Sequence, residues 1–247
     1  MNVWITGTSS GLGKALAESL LNGHSVTGFS RRPATIHHPR YQHVCLDLEQ
    51  IDQIATTIQT TISTQTEKHN LHPKDRYSID LLILNAAVLG PVGDLQSTPI
   101  ADVEATMSVN VWSNKVIIDT LFESEKQGAI KAPSQIIAIS SGASKTGSRG
   151  WNTYSISKAA LNMMIELYAA EEPGRKFISL APGLAHTPMQ DLIATKDDTE
   201  FPPAIRLKAA RGTPMMPTAE EVANRIIASL QTIFSHQSGS YVDLRNI

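Results

Sequence analysis

Tyr154 and Lys158 stand four residues apart in a segment, residues 153–170, that is predicted to be helical. Both side chains therefore project from one face of the helix. A nearby ammonium favours the phenolate, so we expect Lys158 to draw the pKa of Tyr154 down from its ordinary value of about 10. A phenol shifted in this way exchanges a proton with a carbonyl oxygen near neutral pH. The spacing alone equally suits a tyrosine and a lysine on a solvated helix surface.

Two serines follow a predicted strand, residues 134–139, upstream of that helix. Ligands of open α/β sheets sit at the carboxyl ends of the strands. The Ser141 hydroxyl is therefore a candidate to hold the same carbonyl oxygen as Tyr154. A capping or turn role is the alternative for either serine, and we expect Ser140 to take it.

A turn rich in glycine lies between the first predicted strand, residues 3–6, and the first predicted helix, residues 12–21. Small residues let the backbone approach a pyrophosphate, and the helix N-terminus directs amide donors and positive dipole toward it. The spacing is Gly-x-x-x-Gly-x-Gly, which differs from the common Gly-x-Gly-x-x-Gly dinucleotide fingerprint. A simple tight turn is the alternative, but the position between strand and helix favours a phosphate cradle built from Gly7, Ser9, Ser10, Gly11, Leu12 and Gly13.

The end of the second predicted strand, residues 24–30, indicates which cofactor would bind. A carboxylate at this place usually holds the ribose of NAD, whereas arginine accepts the 2′-phosphate of NADP. Here Ser30 is followed by Arg31 and Arg32, and no Asp or Glu occurs between Glu18 and Asp47. We therefore predict NADP(H), with Arg31 on the phosphate and Arg32 assisting. Two arginines in a solvated turn are the alternative.

Short apolar runs alternate with longer amphipathic segments along most of the chain. The further predicted strands are residues 43–46, 79–84 and 177–181, and the further helices are residues 51–62 and 100–125. This alternation predicts a single-domain Rossmann-type α/β fold, a doubly wound parallel sheet with helices on both faces, over residues 1–247. Residues 186–217 interrupt the pattern with Pro and Gly and are predicted to be a loop that acts as a substrate lid. Thr218 and Glu221 predict a capping box at the start of a final helix.

The net charge, the cysteine count and the N-terminal residues argue against several other classes of function. A net charge of −2 and a pI near 6.4 argue against nucleic-acid binding. The N-terminal residues show neither a signal peptide nor a membrane span, so we expect a cytoplasmic protein without a membrane partner. Cys45 is the single cysteine, which rules out an intrachain disulfide, and its apolar neighbours predict a core position. No metal site is predicted, because His37 and His38 lack further ligands at suitable spacing.

Taken together, these motifs resemble the short-chain dehydrogenase/reductase family over nearly the whole chain. Val88 stands where the family motif usually has glycine. The residues that carry the resemblance are, in chain order, Thr6-Gly7-x-x-x-Gly11-x-Gly13, Asp47-Leu48, Asn85-Ala86-Ala87, Asn110, Ser141, Tyr154, Lys158, Pro182-Gly183 and Thr187.

The resemblance implies roles for most of these residues. Tyr154 would donate the proton, Ser141 would orient the substrate carbonyl, and Asn110 would hold a proton-relay water. Lys158 would tune Tyr154 and bind the nicotinamide ribose. The remaining cofactor contacts would come from Asp47, Leu48, Asn85, Ala86, Ala87, Pro182, Gly183 and Thr187. A homodimer or homotetramer, formed through helices near residues 100–125 and 153–170, is also implied.

A finer likeness is to the sepiapterin and benzil reductases of that family. It rests on residues 140–143, 150–151, 157–162 and the ending 238–243. It implies that Asp243 anchors the substrate, although a solvated carboxylate near the chain end is equally consistent with the sequence. Trp151 and apolar residues of the lid suit a hydrophobic or aromatic substrate; the lid residues are Met189, Leu192, Ile193, Phe201, Met215 and Met216. The alternative is that these side chains belong to the core, where such residues are found more often than in contact with a substrate.

We therefore expect an NADPH-dependent reductase of a ketone or 1,2-dicarbonyl, a small-molecule substrate that Ser141, Trp151, Tyr154 and Asp243 would contact. A reductase of simple ketones or an alcohol dehydrogenase is one alternative. A sensor that binds NADP(H) and regulates a partner without turnover is another. A sensor would not need all four catalytic candidates at the spacing typical of the family, and their presence favours an enzyme. The four are Asn110, Ser141, Tyr154 and Lys158.

Overall fold

The computed structural model describes residues 1–69 and 75–247, and a parallel sheet lies at its centre. The strands are β1 (Asn2–Thr6), β2 (Ser25–Ser30), β3 (Tyr41–Cys45), β4 (Tyr77–Ser78), β5 (Leu81–Leu84), β6 (Ile130–Lys131), β7 (Gln135–Ile139), β8 (Lys176–Ala181) and β9 (Tyr241–Asp243). Seven of them form one sheet in the order β3-β2-β1-β5-β7-β8-β9, while β4 and β6 pair separately. Every pair is parallel. The predicted Rossmann-type fold class is confirmed.

Helices cover both faces of this sheet. They are α1 (Gly11–Leu20), α2 (Ile51–Lys68), α3 (Ile100–Met107), α4 (Ser113–Lys126), α5 (Asn152–Glu171), α6 (Pro188–Ala194), α7 (Pro203–Ala210), α8 (Ala219–Ala228) and α9 (Leu230–Ser235). One apolar core unites α1, α8 and α9 with one face, and a second unites α2, α4 and α5 with the other. Leu81 and Ile83 enter the first core whereas Leu82 and Leu84 enter the second, which explains the unbroken apolar run of β5.

The predicted helix over residues 100–125 is interrupted in the structure. A π-helical turn, Ser108–Trp112, separates α3 from α4. Such turns accommodate one extra residue and occur frequently at functional sites. Here the turn contains Asn110, whose side chain is fully buried. The apolar periodicity predicted the helix but carries no signal for the altered winding.

One prediction is corrected and one unpredicted strand is found at the carboxyl-terminal side of the fold. Residues 186–217 are not a plain loop, because they contain α6 and α7. The strand β9 was not predicted, since three residues are too few for a periodic signal; it adds to β8 with Ala181 opposite Asp243. The predicted capping box is present, with the Glu221 amide donating to Thr218 Oγ1 at 3.1 Å and the Thr218 amide donating to Glu221 Oε2 at 2.7 Å.

Cys45 is exposed rather than buried, because it ends β3 at the edge of the sheet, where one side has no neighbouring strand. Within residues 1–69 and 75–247, every helix is too short or too polar to cross a lipid bilayer.

Candidate active site

A cleft of about 1440 Å³ runs along the carboxyl ends of the strands. Almost all of the predicted site residues line this cleft, although they come from segments spread over the sequence. Those that line it are Gly7, Ser9, Ser10, Gly11, Leu12, Gly13, Ser30, Arg31, Arg32, Asp47, Leu48, Asn85, Ala86, Ala87, Ser141, Trp151, Tyr154, Lys158, Pro182, Gly183, Thr187 and Asp243.

The glycine-rich turn closes one wall of the cleft at the N-terminus of α1. Gly7 has a φ of +79°, which favours glycine, and a Cβ there would lie 2.9 Å from Asn85 Nδ2. A Cβ on Gly13 would overlap Asn85 Nδ2 and the Gly7 carbonyl oxygen. The first amides of α1 have no partner within the helix and are available to an anion. The turn therefore fits the pyrophosphate of a dinucleotide.

Thr6 joins this turn to the segment that follows β5. Its buried hydroxyl accepts hydrogen bonds from the amides of Asn85 and Ala86, each at 3.0 Å. Asn85 Nδ2 in turn donates to the Thr6 carbonyl at 2.9 Å. Thr6 is a positioning residue to which the sequence analysis assigned no role, although its place directly before Gly7 was a signal for it.

The segment after β8 closes over the glycine-rich turn. A Cβ on Gly11 would lie 3.3 Å from Thr187 Cβ, so the two segments are in near contact. Gly183 makes the bend after β8 with a φ of +80°. The fold thus brings Pro182, Gly183 and Thr187 opposite the phosphate cradle.

The far end of the cleft is formed by the ends of β2 and β3. Ser30 Oγ donates to the Arg32 carbonyl at 2.8 Å, which stabilises the turn that carries both arginines. Arg31 Nη1 donates to Glu49 Oε1 at 2.8 Å, and Arg31 Nε lies 3.9 Å from Asp47 Oδ1. Local sequence showed no carboxylate beside Arg31, but the tertiary structure supplies two. Because both Arg31 and Glu49 are about half exposed, their ion pair is weak.

Tyr154 and Lys158 lie at the floor of the cleft on the first two turns of α5. Burial raises the pKa of Tyr154 to about 12, and the influence of the Ser141 hydroxyl opposes this only in part. Burial also lowers the pKa of Lys158 to about 8. The expected lowering of the pKa of Tyr154 is therefore wrong for this structure. The reason is that Lys158 Nζ lies 5.8 Å from the Tyr154 ring centroid and donates to the Ile139 carbonyl at 2.7 Å, while desolvation acts directly on the phenol.

This arrangement keeps the Tyr154 phenol protonated at neutral pH, which is the form that can donate a proton. Ser141 Oγ accepts from the Ala143 amide at 3.1 Å. The Ser140 hydroxyl donates to Asn162 Oδ1 at 2.6 Å. The capping role that was expected of Ser140 is therefore taken by Ser141, and this bond leaves the Ser141 hydroxyl proton available to a ligand.

Asn110 acts as a clamp behind the cleft wall. Its Oδ1 accepts from the Val88 amide at 2.8 Å, and its Nδ2 donates to the Val88 carbonyl at 2.9 Å. The same Nδ2 donates to Ser157 Oγ at 2.9 Å, and Ser157 Oγ donates to the Tyr154 carbonyl at 2.8 Å. Asn110 thus ties the segment after β5 to the helix that carries Tyr154. The role of Ser157 was missed, because a serine inside a helix gives no sequence signal.

Apolar side chains form the wall beside Tyr154. The Trp151 and Tyr154 ring centroids lie 5.5 Å apart, and Phe201 meets Trp151 edge-on at 4.8 Å. Four of the predicted lid residues line the cleft, namely Met189, Leu192, Ile193 and Met215. Phe201 and Met216 are instead buried in the protein interior. Phe201 therefore anchors residues 186–217 to the rest of the domain.

Asp243 lies at the end of β9 and is bound by a residue that the sequence analysis did not consider. Arg245 Nε donates to Asp243 Oδ1 at 2.9 Å and Arg245 Nη2 donates to Oδ2 at 2.5 Å. These hydrogen bonds to Arg245 hold the pKa of the Asp243 carboxyl below its usual range. The Asp243 carboxylate is therefore paired with Arg245; it is neither a solvated carboxylate nor an unpaired one. An aspartate and an arginine two residues apart in the sequence were the signal for this ion pair.

Comparison with known proteins identifies the family. A family model described as short chain dehydrogenase matches residues 1–198. The chain belongs to this family. Short-chain dehydrogenases are oxidoreductases that use nicotinamide cofactors, and the cradle and cleft of this short-chain dehydrogenase fit such a group. Among the described residues, no group of three or more His, Cys, Asp or Glu side chains is placed to hold a metal ion.

Individual relatives agree with the finer resemblance. This short-chain dehydrogenase is 30% identical to a benzil reductase ((S)-benzoin forming) of Bacillus cereus over 242 residues, which cover 93% of this chain and 94% of the relative. It is 28% identical to the sepiapterin reductase of Rattus norvegicus over 257 residues, covering 98% and 95% of the two chains. The crystal structure of the KRED1-Pglu enzyme matches with a TM-score of 0.82 at 25% identity, covering 98% of this chain and 100% of the other. The resemblance to both the family and this branch is confirmed.

Proposed function

We propose that this short-chain dehydrogenase is an NADPH-dependent carbonyl reductase that acts on a ketone or 1,2-dicarbonyl, with Tyr154 as the proton donor. The observation that carries the proposal is the buried, protonated Tyr154 phenol at the floor of the cleft, beside Ser141 and opposite the glycine-rich turn. A carbonyl group needs a proton when it is reduced, and Tyr154 holds one at neutral pH.

The chain's own residues bind and orient the substrate and move its proton. Ser141 donates a hydrogen bond that orients the carbonyl oxygen, and Tyr154 transfers its phenolic proton to that oxygen. Lys158, whose pKa of about 8 keeps most of it charged at neutral pH, compensates the negative charge left on Tyr154 and holds the cofactor ribose. The nicotinamide cofactor, held in the cleft, would supply the hydride. Asn110 and Ser157 position the helix for these steps, and the resemblance adds a relay water at Asn110.

The preference for NADPH rests on the arginines at the adenosine end. An exposed ion pair such as Arg31–Glu49 contributes at most about 1 kcal/mol. A 2′-phosphate carries more charge than a carboxylate and forms stronger bonds with a guanidinium. Arg31 would therefore exchange Glu49 for the phosphate, with Arg32 assisting from the turn that Ser30 stabilises.

The substrate class rests on the apolar wall and on the relatives. Trp151 and the apolar side chains of residues 186–217 suit an aromatic group beside the reacting carbonyl. Proteins named benzil reductase and sepiapterin reductase are both similar to this chain over most of its length. In this proposal residues 1–247 act as one domain, with residues 186–217 as its lid.

A second copy of the chain covers the outer face of α5. Ile156, Met163 and Leu167 share that face and are 40%, 54% and 56% exposed. Exposed apolar stripes of this kind mark association surfaces. The proposed enzyme is therefore a homodimer or homotetramer that assembles through this helix.

The first experiment follows NADPH absorbance with benzil, sepiapterin and a set of simple ketones. We expect Tyr154→Phe to lower turnover about 10²- to 10⁴-fold, because it removes the donated proton. Tyr77→Phe is the matched control: it removes a buried phenol that bonds Trp4 far from the cleft, and activity is retained. Tight NADPH binding without turnover of any carbonyl would instead support a cofactor sensor.

The cofactor preference is tested separately, by dissociation constants for NADPH and NADH. We expect at least about tenfold tighter binding of NADPH, which corresponds to 1.4 kcal/mol. Arg31→Ala lowers the ratio of the NADH dissociation constant to the NADPH dissociation constant. Arg149→Ala, which changes a residue outside the cleft, leaves that ratio unchanged. Equal constants for the two cofactors would overturn the NADPH assignment and leave the reductase mechanism intact.

A further inference from the structure

Arg245 reaches into the part of the cleft where the carbonyl would be reduced. Its Cγ and Cδ lie 3.4 Å from the position of a Cβ on Gly183, and its Nη2 lies 4.0 Å from that of a Cβ on Gly142. Gly142 directly follows Ser141, whose hydroxyl is assigned to the substrate carbonyl. Two glycines thus leave room for the Arg245 side chain beside the reacting end of the cleft.

The guanidinium is held rigidly but remains accessible. Asp243 binds it through two side-chain hydrogen bonds and accepts a third from the Arg245 amide at 3.0 Å. The Arg245 side chain is 62% exposed, whereas that of Asp243 is only 11% exposed. A guanidinium has five N–H donors, so this bidentate pair leaves about three of them for a ligand. The pair therefore presents donors and a positive charge to the cleft, not a carboxylate.

The neighbouring charge has the same sign. Lys145 Nζ lies 4.8 Å from the centroid of the Tyr241 ring, and Lys145, Tyr241, Asp243 and Arg245 all line the cleft. Two cations and one carboxylate leave this corner positive. Such a corner attracts an anionic or acceptor-rich group.

We propose that Arg245 is a specificity-determining residue, which binds a carboxylate or second carbonyl oxygen attached to the reacting carbonyl. This inference rests on the proposed reductase function and narrows its substrate to 2-oxo acids and 1,2-diketones. Asp243 is a positioning residue that acts through Arg245. A substrate rich in hydrogen-bond donors would have to compete with Arg245 for Asp243, since three of the roughly four lone pairs of that carboxylate already accept hydrogen bonds from Arg245.

The test compares kcat/KM for benzoylformate and for its methyl ester, which lacks the negative charge beside the ketone and carries one additional methyl group. Arg245→Met lowers the acid-to-ester ratio about tenfold or more, mainly through the KM of the acid, because a charged hydrogen bond is lost. Arg245→Lys restores part of the ratio. Arg149→Met is the matched control, since Arg149 forms the same kind of bidentate pair with Asp94 outside the cleft. An unchanged ratio in Arg245→Met would overturn the proposal.

Asp243→Asn tests the positioning role. It loosens the guanidinium, so the KM for benzoylformate rises severalfold while kcat changes little. If Asp243 contacted the substrate directly, Asp243→Asn would instead impair sepiapterin and leave the acid-to-ester ratio at its wild-type value. That result would contradict the positioning role assigned to Asp243.

The failure of this inference is distinguishable from failure of the reductase function. Turnover of benzil that is lost in Tyr154→Phe, together with an unchanged ratio in Arg245→Met, would refute only the inference. If no carbonyl is turned over, binding of benzoylformate and its methyl ester is compared by quenching of tryptophan fluorescence, with Trp151 in the cleft wall. Arg245→Met must then abolish the advantage of the acid; equal binding of acid and ester by the wild type would overturn the inference.

Discussion

Replacement of Lys158 by methionine removes a buried ammonium while keeping an unbranched side chain of similar length. The wild-type amine has a pKa of about 8 in the folded protein, against an ordinary value of 10.5. Between those two pH values the unfolded chain binds more protons than the native protein. Wild-type stability therefore rises with pH across this window, and Lys158→Met removes that rise.

The magnitude follows from the two pKa values. Charging Lys158 in its buried site makes the folded protein less stable at pH 7 by about 3 kcal/mol, and about 2 kcal/mol of this is relieved between pH 7 and pH 9.5. The variant also leaves the Ile139 carbonyl without its donor, which costs about 1–3 kcal/mol at every pH. The difference between the two pH values isolates the ionisation, because the lost hydrogen bond cancels.

The assay is urea unfolding of the wild type and Lys158→Met at pH 7 and pH 9.5. We expect the wild type to gain about 2 kcal/mol relative to the variant on going to the higher pH. Lys126→Met, in the exposed last turn of α4, is the control and should follow the wild type. The pKa of Tyr154 in the folded protein is about 12, well above pH 9.5, and the other tyrosines are common to all three proteins, so tyrosine ionisation contributes little to the difference.

Parallel pH dependence in the wild type and Lys158→Met would refute the reasoning, since it would show that burial does not depress the pKa of the amine. The same variant loses carbonyl reduction. Lys158 is thus expected to lower the free energy of unfolding at neutral pH and at the same time to be required for carbonyl reduction.

Three other substitutions test the cradle, the lid and the assembly. Gly13→Ala forces a Cβ onto Asn85 Nδ2, so we expect a loss of about 1–3 kcal/mol in urea unfolding and weaker cofactor binding by titration. Phe201→Ala removes the fully buried anchor of residues 186–217; unfolding free energy falls by about 3–5 kcal/mol, and limited proteolysis cuts that segment faster. Leu167→Glu places a charge on the apolar face of α5, and light scattering then shows a smaller assembly than the wild type.

Each of these changes has a matched control. Gly23→Ala adds the same methyl group where no atom lies within 4 Å and should leave both unfolding and cofactor binding intact. Ile205→Ala truncates an exposed residue of α7, and Leu95→Glu charges an exposed residue that does not belong to the apolar face of α5. Wild-type behaviour of Gly13→Ala, Phe201→Ala or Leu167→Glu would contradict the close approach, the anchor or the interface, respectively.

The fold class and the identity of the chemical groups could be predicted from the sequence because both depend on local patterns. The apolar run of β5 predicted a strand covered on both faces, and Tyr154 and Lys158 share a helix face wherever that helix lies. The position of the glycine-rich turn between β1 and α1 indicated that it is a phosphate cradle. The π-helical turn at Asn110 and the three-residue β9 escaped prediction, since neither leaves a periodic pattern.

Only the tertiary structure decided the electrostatics of the cleft. The sign of the shift in the pKa of Tyr154 depends on how completely other segments cover it, and the apolar cluster around it includes Phe201 and other side chains from distant parts of the chain. Glu49 reaches Arg31 only because β3 pairs with β2, and Arg245 lies beside Ser141 only because β9 adds to β8. Desolvation and charge pairing act through space, so their outcome depends on which segments meet, and spacing along the chain does not carry that information.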